Sequence, residues 1–476
     1  MPRTEFDICV IGGGAAGLVV AAGAATLGAK VALVEKQALG GDCLYHGCVP
    51  SKALLHAAHV AHMVRGAGRF GLHATLAPID LGAVMHHVGD VIQGIAVHDS
   101  PKRFRRLGVE VLFGAGRFSG PETFSLEGRS LTARRFVVAT GSRPALPPVE
   151  GLESVPHLTN QNVFALKQAV SHLLVLGGGP VGVELAQAFS RLGSGVTLVE
   201  LVPQLLPQED QDVAAVLGEA LNAEGIQVLT GCRARSAASA NDEIALTVTA
   251  PDGKDRVVTG SHLLVATGRR ANVEGLGLEA ASVQVRDGRI ITDQRMRTSN
   301  RGIFACGDVV GPYQLTHMAE HQAQVVLKNA VLHLPARVER RVIPWCTFTD
   351  PEVARVGLSE REAEQRDIAH RVYRFSLQDI DRARTQRQSS GMAKLVTRPN
   401  GRILGAAVVG PQAGELIHEY VLALRAGMRT SDISSAIHVY PTLAQLNRKV
   451  ADAALKELLT PGRKRWLKRL LRLRGD

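Results

Sequence analysis

At 476 residues the chain is long enough for three or four domains, each with a core of its own. Apolar residues make up 45% and aromatic residues 4%, an ordinary globular composition, and 49 glycines without a collagen-like period point to backbones lying close to ligands rather than to a fibre. The formal charge of +11 is concentrated at the C-terminus, where residues 461–476 (PGRKRWLKRLLRLRGD) hold seven Lys or Arg against one Asp; the body of the chain has no basic patch interleaved with aromatics, so no nucleic-acid partner is expected.

The N-terminus, MPRTEFDICVIGGG, runs directly into a buried strand without the basic, apolar and small-residue segments of a signal peptide. No apolar run approaches the length needed to span a bilayer, and a cytoplasmic location is expected. Residues 7–35, DICVIGGGAAGLVVAAGAATLGAKVALVE, read as a strand, a G-x-G-x-x-G turn, an Ala-rich helix, a Leu-Gly break and a second strand ending in Glu35. In such a unit Gly12 makes the tight turn, Gly14 lets the backbone approach a pyrophosphate, and Gly17 lets helix and strand pack closely. The pyrophosphate then sits on the helix N-terminus, and Glu35 stands where a carboxylate accepts hydrogen bonds from a ribose.

Next comes GGDCLYHGCVPSK at 40–52. Its two cysteines, five apart, leave three readings open: a structural disulfide, half of a metal site, or a redox centre. In a reducing compartment the last two are the commoner uses of a close pair. His56, His59 and His62 follow at every third position, but the first and last lie about 240° apart around a helix, so a shared metal site is not expected. His46, between the cysteines, is either a tuner of the thiols or a solvent-facing residue.

The strand FVVATGSRP at 136–144 leads into a Pro-rich linker, RPALPPVEG. Residues 172–200, HLLVLGGGPVGVELAQAFSRLGSGVTLVE, then repeat the first unit at a constant offset of 165, with Gly177, Gly179, Gly182 and Glu200 in the places of Gly12, Gly14, Gly17 and Glu35. LLVATGRRA at 263–271 echoes the earlier Ala-Thr-Gly strand. Two nucleotide domains are therefore expected: one over 1–150, completed by 271–340, and an inserted one over 151–270. A further domain over 341–460 and a basic tail over 461–476 complete the division.

Taken with TSNRGIFACGDVVG at 298–311 and FTDPEVARVGLSE at 348–360, these motifs, in this order, resemble the class I pyridine nucleotide-disulfide oxidoreductases. The likeness covers residues 5 to about 455. It implies an α/β fold of two Rossmann-type domains plus a C-terminal α+β dimerisation domain, and a homodimer whose partner chain completes the active site. It implies FAD in the first cradle, bordered by Gly116, Thr140, Gly141, Asp308 and His317, and NAD(H) in the second, with Gly268 at its edge. Cys43 and Cys48 become a redox disulfide, with Cys48 the thiolate facing the flavin and Cys43 the exchanging thiol. Lys52 should approach the flavin N5 edge and pair with Glu184, a cation there stabilising negative charge on the reduced ring.

The residues themselves agree with that implication. In a regular helix a spacing of five is about 7.5 Å of rise, beyond the usual Cα span of a disulfide, so Gly47 and Pro50 must distort the segment. A zinc site would need a second close pair, which Cys9, Cys232, Cys306 and Cys346 do not offer. Glu200 favours NADH over NADPH by repelling a 2′-phosphate, and the following LVPQLLP supplies no Arg to receive one.

The resemblance breaks at IHVYPTLAQLNRKVAD. Disulfide-reducing members of the family carry His immediately before Pro-Thr and Glu five positions later; here Tyr440 and Gln445 stand in those places. A phenol of pKa near 10 is a poor base at neutral pH, and His438 lies two residues too early. The acceptor is thus left open between a small disulfide or metal ion reduced at the thiols, a quinone or membrane partner reduced by the flavin, and no turnover at all, as in a redox sensor. RKRWLKRLLRLR at 463–474 adds an amphipathic pattern suited to an anionic membrane surface.

Overall fold

The computed structural model describes residues 4–241, 243–457 and 459–474. Its first sheet is built around the parallel strands Val109–Phe113, Val31–Glu35, Phe6–Ile11 and Arg129–Val138, in that spatial order. The short strand Ile303–Ala305 pairs in parallel with the far side of Arg129–Val138, so a segment some 165 residues downstream, by the order of magnitude of a whole domain, returns to close the sheet of the first. A second, four-stranded parallel sheet runs Gln227–Leu229, Gly195–Val199, His172–Leu176, His262–Val265. The third is a five-stranded antiparallel sheet, Pro344–Thr347, Glu352–Gly357, Ile403–Gly410, Met392–Thr397, Arg371–Ser376, covered by the helices Ala413–Ala426 and Gln445–Glu457.

The two parallel sheets repeat each other in register as well as in order. Ile11 pairs with Val34 and Leu176 with Val199, residue for residue across the offset read from the sequence. Parallel strands covered on both faces need near-continuous apolar runs, and ICVI and LLVL are buried throughout. Helix Ala15–Thr26 packs Gly23 against the Leu327 side chain of helix Thr316–Ala330. The segments that cross between the two nucleotide domains, Ser142–Pro144 and Arg269–Ala271, pair with each other antiparallel, tying the entrance and exit of the inserted domain into one two-stranded hinge.

The cysteine segment is two helices, not one. Gly41–Tyr45 ends at His46, and Cys48–Arg65 begins after Gly47, whose backbone is neither helical nor extended. The expected distortion therefore lies at His46 and Gly47. Pro50 plays no part in it: it is the third residue of the new helix, in the first turn, where its missing N–H costs no hydrogen bond. From Leu54 and Ala58 the same helix packs on Val183 and Phe189 of helix Pro180–Arg191, which fixes the cysteines against the second nucleotide domain.

The tail also differs from expectation. The helix spans Pro461–Leu470 and stops there; Arg472 has a positive φ, so the amphipathic arc ends one turn short of residue 474. No helix among the described residues is long and apolar enough to cross a membrane.

Candidate functional site

One continuous cleft of about 2680 Å³ is bordered by both glycine turns and by the cysteines between them. Gly12 and Gly177 turn the chain with φ of 107° and 112°, and a Cβ on either would meet the carbonyl oxygen of Ala139 or Ala266 at 2.3 or 2.5 Å. Those alanines open the two Ala-Thr-Gly echoes, which explains why the echo follows each cradle. Gly17 and Gly182 lie outside the cleft; a Cβ there would come within 1.9 Å of the Gly12 or Gly177 carbonyl. Gly179 faces open space, a Cβ on Gly14 would meet only the Gly41 Cα, at 3.8 Å, and no side chain caps either of the helices they begin. An uncapped helix N-terminus behind an open glycine is a fit for a pyrophosphate.

Glu35 and Glu200 do more than end their strands. Each accepts from the middle glycine of its own turn, Gly13 N–H and Gly178 N–H, both at 2.6 Å, and from the backbone N–H two residues further on. They therefore hold the turn shut and still border the cleft. One sequence expectation needs amending here: LVPQLLP has no Arg, but the strand Arg233–Ala240 brings Arg233 and Arg235 to the border of the cleft that Glu200 also lines.

At the centre, Cys48 is the first residue of its helix, where the helix dipole favours a thiolate. Its thiol is held down to about 6, chiefly by the hydrogen bond from Cys43 and then by Thr316 and the Lys52 charge, against burial and Glu184. Cys43 moves the opposite way, pushed far above the ordinary thiol range by that same bond and by burial. The two shifts oppose each other, so Cys48 is the thiol of the pair that gives up its proton more readily. Lys52 Nζ donates to Glu184 Oε2 at 2.8 Å and lies 4.4 Å from the centroid of the Phe348 ring; Glu184, buried, accepts the Phe348 N–H through its other oxygen at 2.8 Å.

Asp308 is mostly buried, which raises its carboxyl above the usual range. It accepts the Ser142 hydroxyl at 2.6 Å; Ser142 accepts Arg269 Nε at 2.8 Å, and Arg269 reaches Asp42 at 2.8 Å. This chain ties the ACGD motif, both Ala-Thr-Gly echoes and the residue before Cys43 together. Asp42, Ser142 and Arg269 escaped the reading of the sequence although each sits inside or beside a motif; the signal was the Ser-Arg and Arg-Arg that follow the two glycines. Gly116, Thr140, Gly141 and Gly268 border the cleft. So does His317, whose ring is fixed to the Pro344 carbonyl at 2.7 Å.

Tyr440 stands apart. It is 69% exposed, between Val439 and the cis-linked Pro441, and its hydroxyl donates to Asp381 at 3.0 Å. Gln445 does not orient it: its amide donates to the His438 and Val439 carbonyls. The His438 ring is turned inward, bonded to Glu419 and the Ala436 carbonyl, and so is no base for a cleft. Of the three helix histidines, His59 is engaged by Asp350 at 3.2 Å.

The comparisons with known proteins agree with this geometry. Residues 6–323 match the model of the pyridine nucleotide-disulphide oxidoreductases and residues 343–450 that of the family's dimerisation domain. The chain belongs to this family. Like its members it is an NAD(P)H-dependent flavoprotein oxidoreductase with a redox-active cysteine pair. A dihydrolipoyl dehydrogenase of Thermus scotoductus is 40% identical over 463 residues, covering 95% of this chain and 98% of that protein. A mercuric reductase of Streptomyces lividans is 35% identical over 458 residues, covering 94% and 96%. The crystal structure of LpdA from Mycobacterium tuberculosis superimposes with a TM-score of 0.85 at 28% identity, covering 94% of this oxidoreductase and 99% of that chain.

Proposed function

We propose that this oxidoreductase takes hydride from NADH at the second cradle and releases the electrons, through Cys43 and Cys48, to a small disulfide or metal-ion acceptor. The single observation that carries the reading is Cys48 at a helix N-terminus, one turn before a Lys52 anchored by Glu184 of the second cradle's own helix. FAD, held by Gly12, Gly14, Glu35 and Asp308, supplies the two-electron carrier between nicotinamide and sulfur. Lys52 holds a positive charge at the junction of the two cradles, Glu184 keeps it there, and Cys43 keeps the exchangeable proton.

The experiment is anaerobic reduction with NADH, followed by a panel of oxidised thiols, metal ions and quinones, each tested for flavin reoxidation. Reduction should produce long-wavelength thiolate-to-flavin absorbance, and Cys48→Ser should abolish it with FAD still bound; a variant that keeps the band sinks the assignment. Tyr440 and Gln445 provide no carboxylate-supported base, so turnover with lipoamide or glutathione disulfide should fall short of a histidine-bearing enzyme by about 10² to 10⁴. NADH is the preferred donor because Glu200 opposes a 2′-phosphate; Arg233 and Arg235 narrow the margin, and a preference for NADPH would refute it. The subunits pair through residues 341–460, the exposed stretch around Ile437, Val439 and Tyr440 entering the partner.

A quinone acceptor at a membrane is the second reading. It rests on the tail helix, where Trp466 and Leu470 are exposed and Lys464, Arg465, Lys468 and Arg469 flank them, a build that suits anionic lipid. Sedimentation with anionic liposomes at low and high salt, comparing the full chain with one ending at Thr460, decides it: equal binding by both removes the reading.

A further inference from the structure

Thr316 is the first residue of helix Thr316–Ala330 and belongs to none of the sequence motifs. Its hydroxyl lies between the two sulfurs, 3.2 Å from Cys43 Sγ and 3.5 Å from Cys48 Sγ, within donating distance of either. A threonine hydroxyl has one proton and can serve one sulfur at a time. The helix it begins has no side-chain cap, so a second positive helix end meets the thiols opposite the one at Cys48. Hydrogen bonds to a charged acceptor are about twice as strong as those to a neutral one, and the rotor therefore follows the negative charge.

We propose that Thr316 is a catalytic residue of the thiol half-reaction, donating to Cys48 while Cys48 is the thiolate and to Cys43 when the charge moves there. The inference rests on the reading of Cys43 and Cys48 as the redox pair. With a disulfide acceptor, the Cys43 proton passes to Cys48 Sγ and the Cys43 thiolate attacks one acceptor sulfur. A mixed disulfide forms and the acceptor S–S bond breaks. The departing thiolate takes the proton from Cys48; the Cys48 thiolate then attacks Cys43 Sγ, closing the intramolecular disulfide and expelling the second thiolate, which is protonated by water. Two electrons leave the cysteine pair and two thiols are released.

This relay needs no histidine, which fits a chain with Tyr440 and Gln445 in the places of the family's base. It does need a donor that stabilises charge on either sulfur, and among the described residues Thr316 has a hydroxyl within reach of both. The other groups facing the pair do not move between them: Lys52 is tied to Glu184, Asp42 to Arg269, and the His317 ring to the Pro344 carbonyl. Burial keeps the nearby Cys346 protonated.

The test uses the holoenzyme reduced anaerobically, with Thr316→Val and Thr316→Ser. Two quantities are read: the pH midpoint of the long-wavelength absorbance, and the rate at which iodoacetamide alkylates Cys43, followed by peptide mass. Loss of the hydroxyl should raise the midpoint by about one pH unit and slow alkylation at pH 7 by about tenfold, and Thr316→Ser should restore both. Unchanged values in Thr316→Val overturn the proposal. Equal changes in both variants also overturn it, since they indicate packing rather than a donated proton. If Thr316→Val loses FAD, Thr316→Ala is read against Thr316→Ser in the same way. A wild-type enzyme without the long-wavelength band refutes the redox-pair reading itself, a failure distinct from that of Thr316.

Discussion

In the first cradle, helix Ala15–Thr26 carries Val19, Ala22 and Thr26; in the second, helix Pro180–Arg191 carries Glu184, Gln187 and Arg191 at the corresponding positions. The turns and strand registers of the two units coincide, and these three positions mark one helix face on which the units differ. In the first unit Val19 and Ala22 lie half-buried against an apolar core and Thr26 is exposed. In the second that face meets the cysteine helix and the third domain, and each polar group finds a partner: Glu184 with Lys52 and Phe348 N–H, Gln187 with Glu224 and the Asp350 backbone, Arg191 with Glu224 and Asp350. A buried polar group is tolerable only when so satisfied. Similar backbones thus present different chemistry at these three positions.

The connections differ as well. Between its second and third parallel strands the first unit places residues 36–108, with the cysteine helices among them; the second places residues 200–226, with the single helix Gln211–Ala223. The redox segment is an insertion in one copy, laid against the helix of the other.

The largest effects should come from breaking the cradles one at a time. Gly17→Ala and Gly182→Ala each force a methyl group onto a backbone carbonyl, at a cost of several times the usual 1–3 kcal/mol of overpacking unless the turn shifts. Gly17→Ala should purify without flavin and be inactive, whereas Gly182→Ala should stay yellow but lose more than about 100-fold in kcat/KM for NADH. Absorbance at purification and stopped-flow reduction read the two outcomes, and flavin loss in both variants would show that the cradles are not specialised as proposed.

Importing the first helix's residue, Glu184→Val, comes next. It strips Lys52 of its partner and leaves the Phe348 N–H unpaired, and should slow reduction by NADH about 10- to 100-fold, with a smaller loss for Glu184→Gln. Lys52→Met should raise the pH at which the long-wavelength band appears, and Glu184→Gln should lower it, because Lys52 favours and Glu184 disfavours the Cys48 thiolate.

A pH effect on stability follows from the same pair. Unfolded, both thiols titrate near 8.5; folded, Cys48 lies at about 6 and Cys43 far higher. Between about 6 and 8.5 the unfolded chain holds more protons, so the reduced protein gains stability over that range as pH rises. Above 8.5 the retained Cys43 proton reverses the slope. Denaturant midpoints of the wild type minus those of Cys48→Ser isolate the contribution, and a flat difference from pH 6 to 8.5 contradicts it. The smallest effect expected is at the strand-end carboxylates: Glu200→Ala should move the NADH-to-NADPH ratio of kcat/KM about tenfold toward NADPH, and Glu35→Ala should leave that ratio unchanged.

Much of the site was legible because its demands are local. A turn that must bring a backbone carbonyl against a Cβ-less residue, or a helix end left open for a phosphate, writes itself as glycine at fixed spacing, and Gly12, Gly17, Gly177 and Gly182 are found where that spacing puts them. The pairing of Lys52 with Glu184 was legible only through the family resemblance, since 132 residues separate them. Thr316 was not legible at all, and Arg269 left only the Arg-Arg after Gly268 as a trace. A threonine opening a helix reads as ordinary helix chemistry, and an Arg beside another Arg reads as surface charge; only the approach of their helix and strand to Cys43 and Asp42 distinguishes them.

The sequence by itself determined two dinucleotide units, their common register, the cysteine pair and the absence of a His before Pro441, because each depends on residue type at short range. The tertiary structure decided which helix supports Lys52, that Glu35 and Glu200 brace their own turns, that Arg233 reaches the cleft, and that one hydroxyl lies near both sulfurs. Those facts depend on how separate elements pack across apolar cores, and packing brings together residues whose distance along the chain carries no trace of their distance in space.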